Sequence, residues 1–106
     1  MLTGTGKYYS AGVNLSAIMA PMSPAKIHAE IVKRNSAVFN NFIDFPKPII
    51  VAVNGPAIGA VVTSATLSDA IIAAEEATFS TPFAALGIVP EGCSSVHFAR
   101  QGINFL

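Results

Sequence analysis

The stretch that most restricts the fold is Ile49 to Leu67, "IIVAVNGPAIGAVVTSATL", which carries no charge. Its length approaches that of a bilayer span. It also holds Gly55-x-x-x-Gly59, a helix-packing pattern in membranes. A second reading divides it. "IIVAV" is a short β-branched run of the kind that forms a buried strand. "NGPAIG" then turns the chain, and "AVVTSATL" continues as a helix. Asn54, Gly55 and Pro56 sit at the centre, where a lipid-exposed helix would have to re-satisfy the broken backbone. The strand–turn–helix reading is therefore favoured over the membrane span.

The flanking segments fit that reading. "MLT" ends a strand, and "GTGKYYSAGVN" follows as a loop whose glycines permit unusual backbone angles. "LSAIMAPMSP" is punctuated by Pro21 and Pro24. Ser23 is a suitable N-cap and Pro24 suits the first helical position. Ile27, Ile31, Val38 and Phe42 recur at near-helical spacing, and Glu30 with Arg34 is expected to pair on the opposite side. A helix is predicted from about Pro24 to Ile43, ended by "FPKP". "AIIAA" reads as a second buried strand, "ATFSTPF" as extended, and "EGCSSVHFARQ" as a final helix. Strands alternating with helices imply an α/β fold with parallel pairing and right-handed crossovers.

Composition limits the function classes. The net charge is zero, without a basic block, so nucleic-acid binding has no electrostatic support. Charged residues make up 11%, against about 25% in ordinary soluble proteins. So few charges imply either apolar faces covered by further chain or by partner subunits, or contact with a membrane. The single cysteine excludes an internal disulfide. "MLTGTGKYYSAG" holds no signal core, and no targeting address is legible.

"GTGKYYSAG" fits neither phosphate-loop spacing. It does offer backbone N–H groups near Gly12 and Val13. "VNGPAIGA" offers further unpaired N–H groups where its helix starts. Cys93 and His97 are four apart on one helix, but two ligands make no metal site. Core packing is the expectation for both, and a surface position for His28. "VPEG" places Glu91 after the apolar run "FAALGIV". Two backbone donors and one carboxylate are what proton abstraction beside a thioester carbonyl requires.

With "LTGTGKYYSAGVNL", "FPKPIIVAVNGPAIGAVVTSATLSDAIIAAEEATFSTPF" and "LGIVPEGCSS", the chain resembles the enoyl-CoA hydratase/isomerase (crotonase) superfamily. Within it, the chain looks most like the peroxisomal-type Δ3,Δ2-enoyl-CoA isomerases. The resemblance implies a crotonase-like ββα spiral, with residues 1–106 forming a partial domain that lacks N-terminal strands and C-terminal helices. It implies an oxyanion hole from the N–H groups of Val13 and Ala60. Ser10, Ala11, Gly12, Val13 and Asn14 form the substrate-binding loop, although relatives commonly have Asp at the position of Asn14. The hydratases' two glutamates are replaced by Thr63 and Phe83, which argues against water addition. Glu91 becomes the base that moves a proton from C2 to C4 of a 3-enoyl-CoA in fatty acid β-oxidation, without metal or cofactor, the coenzyme A thioester being the substrate. A homo-oligomer, trimeric in the family, and a peroxisomal or mitochondrial location are implied as well. A catalytically inactive chain that binds acyl-CoA or partner subunits is the alternative.

Overall fold

The computed structural model describes residues 1–14, 16 and 21–101. Leu15 and Ala17–Ala20 of "LSAIMAPMSP", and the final "GINFL", lie outside the described residues. Three strands, β1 (Leu2–Thr3), β2 (Ile50–Val53) and β4 (Ala70–Ala73), form a parallel sheet in the order β1-β2-β4. Leu2 lies opposite Val51, and Ile50 opposite Ala70. The Asp69 carboxylate accepts the Ile49 N–H at 2.7 Å, which ties the start of β2 to the strand beside it.

A second parallel pair, β3 (Ala57–Ile58) with β5 (Phe79–Ser80), carries the functional geometry. Ser10 bridges to Ala57 from the other side. Among the described residues, the helices with both ends defined are α1 (Pro24–Ile43), α2 (Ala60–Ala65), α3 (Phe83–Leu86) and α4 (Ser94–Arg100).

The charge-free stretch Ile49 to Leu67 is thus strand, turn, strand and short helix. No helix of the described residues is long and apolar enough to cross a membrane. Val51 and Val53 point to one face of β2 and are buried with Ala57, Val62, Ala65 and Phe98. Helix α2 fits this core because its hydroxyls are satisfied within the chain. Thr63 Oγ1 donates to the Ala60 carbonyl at 2.9 Å, and Thr66 Oγ1 to that of Thr63 at 2.8 Å. Phe98 is 3% exposed. Phe98→Ala is expected to lower stability by about 3–5 kcal/mol, read as a shifted denaturant midpoint.

Several expectations are corrected. "AIIAA" forms β4, but as an exposed edge strand, with Ile72 63% exposed. β-branched composition marks a strand without saying what covers it. Cys93 is exposed, with φ 56° just before α4. It precedes the helix, so Ser94 and Phe98 take the core positions and His97 stays half-buried. The final helix accordingly starts at Ser94 rather than Glu91. At α1, Ser23 has extended backbone angles but makes no side-chain cap. The helix begins with Pro24, and the Ser23 carbonyl accepts the Ile27 N–H at 3.0 Å.

Candidate active site

Each wall of the site follows from how its segment is held. The loop that ends at Asn14 has no regular structure, yet its backbone is fixed against β3. Tyr9 N–H and Ser10 N–H donate to the Pro56 carbonyl at 3.0 and 3.4 Å, and Ile58 N–H donates to the Ser10 carbonyl at 3.1 Å. Gly12 then turns with φ 89°, and a Cβ there would lie 2.6 Å from the Ile58 carbonyl oxygen. Only glycine tolerates both that angle and that contact. The turn brings Val13 to the cleft that the start of α2 also borders.

The second wall is the β3–α2 turn. Gly59 N–H is taken by the Ser80 carbonyl at 2.8 Å. Ala60 is the first residue of α2, so its N–H has no acceptor one turn earlier in the helix. Among the described residues, neither the Val13 nor the Ala60 N–H donates to a protein acceptor.

The third wall runs from Pro82 to Glu91 after β5. Helix α3 is capped by Gly87, and the chain runs on without regular structure to Glu91. Phe39, the buried residue of α1, packs its ring against Gly92, where a Cβ would meet that ring. This contact seats the segment holding Glu91 on α1.

Helix α1 closes the site. Ile27, Ile31 and Val38 line it rather than a core, together with Glu30, Arg34 and Asn35. The Glu30–Arg34 pair forms at 3.3 Å, but it faces this cleft instead of the opposite side of the helix. The four walls border an open cleft of about 960 Å³.

Ala11, Gly12, Val13, Asn14, Ala60 and Glu91 all border this one cleft. Ser10 does not line it. Its hydroxyl accepts the Gly12 N–H at 3.2 Å, which braces the turn from behind. The Asn14 side chain accepts the Ser16 N–H at 3.1 Å. Thr63 is fully buried with its hydroxyl committed to Ala60, and Phe83 presents a ring to the cleft. Neither offers a carboxylate.

Sequence reasoning missed Asn35. Its Nδ2 donates to Glu91 Oε2 at 2.9 Å across 56 positions of chain. The available signal was its place on α1, a polar residue within the stripe of Ile27, Ile31 and Val38. Burial pushes the Glu91 carboxyl above the ordinary glutamate value, and the Asn35 hydrogen bond partly opposes this. A half-buried carboxylate of raised basicity, bordering the same cleft as two backbone donors, can accept a carbon-bound proton while the donors hold an oxyanion.

Comparison with known proteins identifies the family. The family model described as enoyl-CoA hydratase/isomerase matches residues 1–102. Enoyl-CoA delta isomerase 2 of Rattus norvegicus is 46% identical over 104 residues, covering 95% of this chain and 26% of the relative. The peroxisomal enoyl-CoA delta isomerase 3 of Mus musculus is 43% identical over 101 residues, covering 94% of this chain and 32% of the relative. Pseudomonas aeruginosa DspI superposes with a TM-score of 0.82 at 30% identity, over 96% of this chain and 38% of that one. The chain spans about a quarter to a third of the two isomerases.

Proposed function

Because the chain belongs to the enoyl-CoA hydratase/isomerase family and has its crotonase-type α/β fold, we propose that it is a Δ3,Δ2-enoyl-CoA isomerase. The observation that carries this reading is the position of Glu91. It shares one cleft with the Val13 and Ala60 N–H groups, while the other two candidate carboxylate positions hold Thr63 and Phe83.

The thioester carbonyl oxygen of a 3-enoyl-CoA accepts hydrogen bonds from Val13 and Ala60. Glu91 takes a proton from C2, and the electrons delocalise into a dienolate whose oxygen both donors stabilise. The protonated Glu91 returns the proton at C4, leaving the double bond between C2 and C3. One carboxylate therefore serves as base and then acid, and Asn35 holds it in place through both steps. Apolar side chains of α1 and α3 line the cleft, and neither Thr63 nor Phe83 offers a carboxylate to activate water, which favours isomerisation over hydration. The reaction fits fatty acid β-oxidation, and the peroxisomal relative suggests that compartment.

Binding of an acyl-CoA without turnover is the competing reading. It draws on Val89, two residues from the base, being 81% exposed. Paired substrates test the proposal. The protein is expected to convert a 3-enoyl-CoA to the 2-enoyl-CoA and to leave a supplied 2-enoyl-CoA unhydrated. Accumulation of a 3-hydroxyacyl-CoA would show a hydratase instead, and thioester binding with no product would favour the inactive reading.

The raised Glu91 pKa gives the pH profile a direction. The active base is the ionised form, so activity should fall with decreasing pH at a higher pH than for an ordinary glutamate. Replacing Asn35 by Ala removes the one influence that lowers the pKa. The acid limb of kcat/KM should then move to still higher pH. The same shift has a stability consequence. The fold favours protonated Glu91, so that stabilisation is present below the ordinary glutamate pKa and is lost as pH rises through the folded value. Glu91→Gln should therefore gain stability relative to wild type across that window, measured by urea unfolding at several pH values.

A further inference from the structure

We propose that Asn54 is a positioning residue for the oxyanion hole, holding the loop that carries one donor in register with the turn that carries the other. This rests on the isomerase reading of the cleft.

Asn54 lies outside the cleft, at the end of β2, and donates no group to substrate. Its carboxamide is nevertheless engaged on both sides. Oδ1 accepts the Gly4 N–H at 2.9 Å, with the Thr3 hydroxyl at 3.5 Å. Nδ2 donates to the Gly6 carbonyl at 2.9 Å and to the Tyr8 carbonyl at 3.4 Å. The next two residues continue the grip. The Lys7 carbonyl sits where a Cβ of Gly55 would be. The Pro56 carbonyl receives the N–H groups of both Tyr9 and Ser10. Three consecutive residues thus hold the chain from Gly4 to Ser10, and four residues later the same segment supplies Ala60.

This loop has no helix or ladder of its own between Gly4 and Tyr9, so side-chain hydrogen bonds replace regular structure there. The Asn54 bonds set where the loop enters its bridge to Ala57, and hence where Gly12 turns and Val13 presents its N–H. A shift of the loop along β3 would separate the two donors without altering Glu91. A displacement near 1 Å is enough to cost on the order of 100-fold in rate.

The test is the polarisation of a bound thioester. A saturated acyl-CoA, isotope-labelled at its thioester carbonyl, is bound to the protein and read by difference infrared spectroscopy. Two well-placed donors should lower the carbonyl stretching frequency in the wild type. Asn54→Ala should lose most of that shift, and kcat should fall on the order of 100-fold with KM little changed and the acid limb unmoved. Asp69→Ala removes a comparable clamp on Ile49, away from the cleft, and should lower stability while keeping the carbonyl shift. If folded Asn54→Ala retains the wild-type shift and kcat, the proposal is overturned. Should that variant lose cooperative unfolding, Asn54→Asp keeps the acceptor for Gly4 and replaces the donations to Gly6 and Tyr8 by a carboxylate oxygen that repels those carbonyls. A full shift there overturns the proposal equally. A wild type that binds the acyl-CoA with no shift at all refutes the oxyanion-hole reading itself.

Discussion

Glu91→Gln is expected to lower kcat by about 10²–10⁴ while leaving acyl-CoA affinity and fold intact. Glutamine keeps the volume of the side chain, and its oxygen can still accept the Asn35 hydrogen bond. What it lacks is a pair of electrons basic enough to take the C2 proton. The loss should be at the large end of the range because no second carboxylate stands where the hydratases have theirs. Thr63 is buried and bonded to Ala60, and Phe83 is apolar. Glu30 also borders the cleft, but it is paired with Arg34. Matched steady-state kinetics and equilibrium binding of a saturated acyl-CoA would check the separation. Glu91→Gln turning over at the wild-type rate would remove Glu91 from the mechanism.

Gly12→Ala should be nearly as damaging, by a different route. Its backbone angle, φ 89°, is one that alanine resists, and the new Cβ would lie 2.6 Å from the Ile58 carbonyl oxygen. The loop must therefore move away from β3, carrying Val13 with it. Loss of one oxyanion donor lowers kcat by about 10²–10³. Backbone strain of about 1–3 kcal/mol would lower stability as well. The two effects are separable: a urea midpoint reports the strain, and kcat on the remaining folded protein reports the donor. Wild-type kcat in Gly12→Ala would mean that Val13 does not hold the substrate oxygen.

How much of this was legible in the sequence depended on whether a feature was local. The bounds of α1 were readable because Pro24 opens it and the prolines of "FPKP" stop it. The three segments of the site were readable because each has a local signature: two glycine turns and a carboxylate after an apolar run. Features fixed by distant contacts were not. Strands β3 and β5 are two residues each, and their pairing depends on partners far along the chain. The face that Ile72 exposes could not be inferred from its β-branched neighbours. The Asn35–Glu91 bond joins residues far apart, and so do the bonds from Asn54 to Gly4 and Gly6. The Glu30–Arg34 spacing correctly indicated a pair, but helical periodicity could not say that the apolar stripe beside it lines an open cleft.

The central claim is that a single carboxylate carries the proton from C2 to C4. Its most direct test is a single turnover of 3-enoyl-CoA dideuterated at C2, in ordinary water. The account predicts deuterium at C4 of the 2-enoyl-CoA formed by the wild type, and no appreciable product from Glu91→Gln in the time of one wild-type turnover. Product whose C4 hydrogen comes wholly from solvent would contradict it.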